Sequence, residues 1–284
     1  MIRRPVRLAA LAILALCAAV AAGCDGGEAT PPTTVTETET ETAPPVEGSS
    51  SVAIYLLRDG KVTPVRRAVP ATQAVARAAM TELLVGPTNE EATDGLATAI
   101  PEGTELRDVS VADGVATVDF SGTFEDGASS ESMRARVAQV VATLTRFPTV
   151  ERVAFRIDGK PVDTIGDAGV AVDPPIGRRA IEEQTPQILV ESPLPGDEVS
   201  SPIRLLGTAN VFEATVSLEV HDAAGNVIVE TFTTATSGTG TRGTFDTRLA
   251  VPDGVGEVTV VAFESSAEDG RPLHVAEVPV TLAP

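Results

Sequence analysis

Hydrophobic and polar positions divide the chain into four stretches. From Leu8 to Ala22 every one of fifteen residues is apolar or small. Residues 25–50, DGGEATPPTTVTETETETAPPVEGSS, show no period, and Thr, Glu, Pro and Gly dominate. From Ser51 the pattern becomes that of a folded domain. Val52, Ile54 and Leu56 alternate with Ala53, Tyr55 and Leu57, as in a strand buried on both faces. Asp59-Gly60 predicts a hairpin, with Val62 to Val69 as the return strand. Thr72 is placed to cap a helix reaching Val85, on which Val75, Ala79 and Leu83 share one face and which Gly86-Pro87 stops. A second hairpin turns at Asp113-Gly114 between Leu106–Val111 and Val115–Phe120. A second helix covers about Ser130 to Arg146, and a strand runs from Val150 to Ile157, ending at Asp158-Gly159. The order ββαββαβ predicts an α+β domain over 51–163, an antiparallel sheet with two helices on one face.

Beyond it the signal weakens. Residues 164–186, with Pro174-Pro175 and Pro186, read as a linker holding a helical turn at Arg178 to Glu183. From Gln187 the period is two and stays so. Seven short strands separated by Gly, Pro and Asp turns fill 187–284, which predicts an all-β immunoglobulin-like sandwich without the antibody-type disulfide or tryptophan.

Composition narrows the function classes. The chain has 284 residues, a formal charge of −19, one Tyr and no Trp. Removing residues 1–23, which carry three arginines and no acid, leaves 18 basic against 40 acidic side chains, or −22. Such a chain repels phosphate backbones, so no nucleic-acid partner is expected. It also offers few aromatic platforms for gripping sugars.

Arg3, Arg4 and Arg7 precede the apolar run, which as a helix spans about 22 Å against a hydrocarbon core of roughly 30 Å. A signal peptide over 1–23 fits better than a permanent span. Both cysteines lie here, Cys17 inside the run and Cys24 after Ala21-Ala22-Gly23. Val20 to Cys24 resembles a bacterial lipobox, with Val one place outside the usual Leu. The resemblance implies that the Cys24 thiol is alkylated by diacylglycerol, that the chain is cut before it, and that further acylation fixes it to the membrane, since two or more chains hold firmly. The plainer reading is a secretory signal with a chance cysteine. Residues 24–50 would then be the lipidated cysteine and a disordered tether, too poor in apolar residues to fold.

Longer motifs carry a second resemblance. Leu84-Val85-Gly86-Pro87, Gly95-Leu96, Ile100-Pro101-Glu102-Gly103-Thr104 and Val118-Asp119-Phe120-Ser121 resemble the GerMN domain of spore-germination and sporulation lipoproteins. Ser192-Pro193, Gly196, Ser201-Pro202, Gly207, Ala209, Asp222, Gly225 and Gly243-x-Phe245 are similar to the immunoglobulin-like domain of bacterial spore germination, with Arg242 where that family has an aromatic residue. The resemblance implies an extracytoplasmic envelope protein without known catalytic residues.

The residues themselves give enzyme chemistry little to work with. Lys61 and Lys160 sit at hairpin turns and form no phosphate loop. His221 and His274 are the only histidines, both on strands of the second domain, and make no triad or zinc cluster. Asp119 points opposite to Val118 and Phe120, either capping a loop or facing a ligand. Asp94, Asp113, Glu125 and Asp126 match no EF-hand spacing. No catalytic, cofactor or metal residue is assigned, and Cys24 is the one candidate site residue. The expectation is a non-catalytic envelope protein, membrane-bound through Cys24, that binds a protein partner for assembly. The alternatives are a regulatory lipoprotein modulating a membrane sensor kinase and, more distantly, a cell-wall hydrolase. Exposed strand edges are the natural partner sites.

Overall fold

A computed structural model describes residues 48–283 apart from 128, 168 and 253–255. The signal peptide 1–23, Cys24 and all but the end of the tether lie outside the described residues. The first strand begins slightly before Ser51, because Ser49 and Ser50 already pair in it.

The first domain opens with a hairpin, β1 (Ser49–Arg58) and β2 (Lys61–Pro70), in unbroken antiparallel register. Its turn places Asp59 and Gly60 at φ 51° and 74°. This is the paired left-handed geometry that Asp-Gly supplies and that suits the strands' twist. Helix α1 (Val75–Val85) follows, then a short α2 (Asn89–Thr93). Thr72 does not cap α1: its hydroxyl accepts the Ala74 amide in a local turn, and the helix starts without a side-chain cap. Helix α2 has the capping box instead, Thr88 with Glu91, a T-x-x-E signal that hydrophobic periodicity does not register in so short a helix.

Strands β3 (Leu106–Ala112) and β4 (Val115–Phe120) form the second hairpin, and α3 (Ser130–Leu144) leads from β4 to β5 (Arg152–Ile157). Strand β5 pairs parallel with β4, and β6 (Lys160–Pro161) closes a four-stranded sheet ordered β3-β4-β5-β6. The α+β class is as the pattern predicts, but the strands divide into two sheets. The β1–β2 hairpin stands apart from the four-stranded sheet, and the helices pack against strands of both. The reason lies at Tyr55. Its amide donates to Thr143 Oγ1 at 3.0 Å and its carbonyl accepts from Gln139 Nε2 at 3.1 Å, so helix side chains stop the sheet where another strand would add. Residues 135–144 of α3 are consequently buried on every face, polar ones included.

The segment expected as a linker belongs largely to this core. A small ladder, β7 (Thr164–Ile165) with β8 (Val170–Ala171), and a 3-10 turn, Arg178–Gln184, send Ile165, Val172 and Ile181 into it. Proline and glycine concealed those isolated apolar residues, which follow no period.

The second domain packs a three-stranded sheet on a five-stranded one. The first is ordered β14-β11-β9 from β9 (Ile188–Ser192), β11 (Ile203–Ala209) and β14 (Gly243–Leu249). The second is ordered β10-β16-β15-β12-β13 from β10 (Asp197–Val199), β12 (Thr215–Asp222), β13 (Val227–Thr234), β15 (Glu257–Ser265) and β16 (Pro272–Leu282). The seven expected strands are present, with β10 in addition. Gly207 and Gly243 have steric reasons. A Cβ on Gly207 would stand 2.3 Å from the Phe245 ring, and one on Gly243 would stand 2.3 Å from the Ser237 nitrogen.

Candidate interaction site at the domain seam

Strand β9 is buried on both faces, one toward each domain. Ile188 and Val190 enter the second core, while Leu189, pointing the other way by the two-residue alternation of a strand, enters the first. Around this shared strand lies a polar linkage. The Tyr55 hydroxyl donates to Glu191 Oε1 at 2.7 Å, and Arg178 Nη1 reaches the same oxygen at 2.5 Å. Arg178 also donates from Nε to Thr145 Oγ1 at 2.9 Å and from Nη2 to the Ala142 carbonyl at 3.2 Å, its guanidinium 5.4 Å from the centre of the Tyr55 ring. Burial, reinforced by the Glu191 charge, pushes the Tyr55 phenol above the usual tyrosine range. Beside it Arg146 Nη2 donates to the Glu191 carbonyl, and Arg146 Nε is a buried side-chain donor without a partner among the described residues.

Two further links flank the linkage. Arg66 on β2 contacts Asp197 on β10 at 2.5 Å. Arg242, where the resembled family carries an aromatic residue, donates to Glu182 at 2.9 and 3.1 Å and to the Pro186 carbonyl at 2.8 Å, while Asn210 Nδ2 donates to Glu182 at 3.0 Å. Burial raises the Glu182 carboxyl, but the hydrogen bonds from Arg242 and Asn210 outweigh it and hold the group below the usual carboxylate range. A shallow cavity of about 540 Å³ opens here between Lys61, Glu182, Asn210 and His274. Lys61 Nζ donates to the Glu183 carbonyl.

Asp119 accepts the Gly159 amide at 3.0 Å and so ties down the β5–β6 turn. Other polar residues of the GerMN-like motif also work locally: Thr104 donates to the Pro101 carbonyl and Ser121 accepts the Glu105 amide. Gly86, Gly95 and Gly103 all have positive φ, which explains glycine at those motif positions. Glu125 accepts the Gly166 amide, and among the described residues no three His, Cys, Asp or Glu side chains are grouped to hold a metal ion. His221 Nε2 lies 2.6 Å from Glu219 and His274 Nε2 lies 3.6 Å from Glu264, far apart along the sheet. The structure therefore brings together none of the catalytic candidates weighed above. What it gathers instead are Tyr55, Arg178, Glu191, Glu182 and Arg242, which no periodicity marks. The sequence signals are two: a lone tyrosine among the aliphatic residues of β1, and Arg242 where the resembled family carries an aromatic residue.

No helix among the described residues is long and apolar enough to cross a membrane. Residues 53–163 match the family described as Germane: Sporulation and spore germination. Residues 187–271 match Gmad2: Immunoglobulin-like domain of bacterial spore germination. Spore germination protein GerM of Bacillus subtilis (strain 168) is 28% identical over 149 residues, covering 51% of this chain and 40% of that protein. The chain thus spans less than half the length of this relative. Among solved structures, the first GerMN domain of the sporulation protein GerM from Bacillus subtilis is 27% identical, covering 46% of this chain and 98% of that one, with a TM-score of 0.41. The tandem GerMN domains of the same protein are 18% identical, covering 72% and 62%, with a TM-score of 0.42.

Proposed function

We propose that this chain, whose first domain is of the GerMN type and whose second is an immunoglobulin-like domain of the bacterial spore-germination type, is a lipid-anchored, non-catalytic envelope protein that works by binding. Cys24 is the acylated first residue of the mature chain, and residues 25–48 are the tether that stands the folded part off the outer face of the cytoplasmic membrane. The partner is another envelope protein, in a process of the sporulation or germination type, as the name of the Bacillus relative suggests for its own function. The observation that carries the reading is the seam. Strand β9 and the Tyr55–Glu191–Arg178 linkage join the two domains, which supports a reading in which they meet a partner as one unit. The local structural use of Asp119, Ser121 and Thr104 supports the non-catalytic part.

Two experiments test it. Cys24→Ser should move the protein from the membrane fraction to the medium or leave it uncleaved; a processed, still membrane-bound variant defeats the anchor. Incubation of the detergent-solubilised full chain with purified wall polymer should release nothing. Soluble sugar or peptide products would replace this reading with a hydrolase.

A further inference from the structure

Strand β13 is the outer strand of the five-stranded sheet, and among the described residues no strand pairs with its far side. Edges of this kind are normally protected by lysine, proline, shortness or a bulge. The sequence of β13, VIVETFTT, has neither lysine nor proline, and its register with β12 is unbroken from Val229 to Thr234, the single shift lying before it. β-branched and aromatic residues dominate it, with Glu230 as its one charge.

The register also orders the outer face of the sheet into rows. Phe232 lies opposite Ser217, which lies opposite Phe263, and on β16 Val275 sits at the register shift that falls between Ala262 and Glu264. Phe232 is 67% exposed and Val275 48%, unusual in a chain with so few aromatic residues. The next row reads Glu230, Glu219, Val261, Glu277, three acids with one valine among them. Not one of the five strands carries Lys or Arg, and each carries at least one acid. The histidines of these strands are already engaged, His221 with Glu219 and His274 with Glu264.

We infer that β13 accepts an extended segment of a basic partner protein, which adds to the sheet as a sixth strand and sets an apolar side chain beside Phe232 and a Lys or Arg beside Glu230. Residues two apart on a strand share a face, so both contacts come from alternate positions of one short segment. Charge selects this occupant over the others. A second copy would join two sheets without Lys or Arg, acid against acid, which is unfavourable. The chain's own residues 25–47 contain Asp25, Glu28 and further glutamates but no Lys or Arg. The inference rests on the proposed binding role and names the chemistry of the partner.

The test uses the full chain, labelled with ¹⁵N, in detergent micelles, and two synthetic ten-residue probes in which Thr alternates with Val and Lys, or with Val and Glu. The Lys probe should bind, with amide shifts concentrated at Val229–Thr234. The Glu probe should bind at least about tenfold more weakly, as expected where like charges meet. Glu230→Lys should reverse that order, and Phe232→Lys should abolish binding of the Lys probe. Both side chains are exposed, so both variants should fold. No binding up to about 1 mM, where only about 4 kcal/mol of affinity would be left, overturns the inference. So do equal responses to the two probes, shifts elsewhere on the protein, or self-association that Phe232→Lys removes. Failure here leaves the anchored, non-catalytic reading to be judged by fractionation and the wall-polymer assay; release of wall products would end that reading even if the Lys probe bound.

Discussion

Arg178→Ala removes one corner of the seam linkage and leaves the other two in place. Glu191 keeps its charge and the Tyr55 hydroxyl as donor, but loses its cation. Removing one partner of a buried ion pair costs about 3–5 kcal/mol. The Arg178 and Glu191 side chains retain 28% and 18% of their exposure, so water screens part of this, and about 2 kcal/mol is the discounted figure. The hydrogen bonds to Thr145 and the Ala142 carbonyl also go, adding roughly 1 kcal/mol. A total near 3 kcal/mol is expected. Tyr55→Phe removes a single hydroxyl and should cost only about 1–1.5 kcal/mol. Arg178→Met with Glu191→Leu should recover most of the loss, because no charge is then left without its partner. The chain supplies its own reporter: Tyr55 is its one tyrosine and there is no tryptophan. Tyrosine fluorescence during urea unfolding therefore reads the seam, while far-ultraviolet circular dichroism reads both domains. In Arg178→Ala both transitions should move to lower urea, the fluorescence at least as far as the dichroism. A loss below about 1 kcal/mol, the level of an exposed pair, or a fluorescence midpoint that does not move, would refute the reasoning.

Other substitutions probe the remaining inferences. Gly207→Ala puts a Cβ 2.3 Å from the Phe245 ring and 2.4 Å from the Leu189 carbonyl, so the second domain should unfold or lose several kcal/mol, measured by thermal denaturation. Asp119→Ala leaves the Gly159 amide without its acceptor and should cost about 1–3 kcal/mol, with faster hydrogen exchange confined to the β5–β6 turn. The Glu182 and Glu91 carboxyls are held low in the folded state, so their contribution is present above the unfolded carboxyl value near pH 4.5 and lost as pH falls through the lower folded values. Urea midpoints measured downward from pH 5 should show this loss, and Arg242→Gln should remove the part due to Glu182.

The sequence carried the hairpins, both long helices and the seven sandwich strands because each rests on a local rule. Asp-Gly pairs fix the turns, Gly86-Pro87 ends α1, and two-residue alternation marks the second domain. The failures are non-local. Division of the first domain into two sheets depends on Gln139 and Thr143 reaching the backbone of Tyr55, across more than eighty residues. Ile165, Val172 and Ile181 are single apolar residues among prolines and glycines, and only the fold shows that they share one core. Glu191 and Arg178 look in sequence like any other surface charges. Arg242 departs from the resembled pattern in sequence, and the structure shows what it does there: it grips Glu182 at the seam. Cys24, the one site residue the sequence named, lies outside the described residues.

The core of the first domain is completed by Ile181 and, on the first strand of the second domain, by Leu189. This has a consequence for the order in which the protein is made. A ribosome or export channel delivers residues 51–163 first, yet that segment has no finished interior until some 26 more residues have emerged. When Leu189 arrives, Ile188 and Val190 arrive with it and begin the second domain. The nascent first domain must therefore wait with apolar surface exposed, and the strand that ends its wait is the one that starts its neighbour. A fragment ended at Asp163 keeps the whole of the GerMN-like motif but lacks Ile165, Val172, Ile181 and Leu189 of that core.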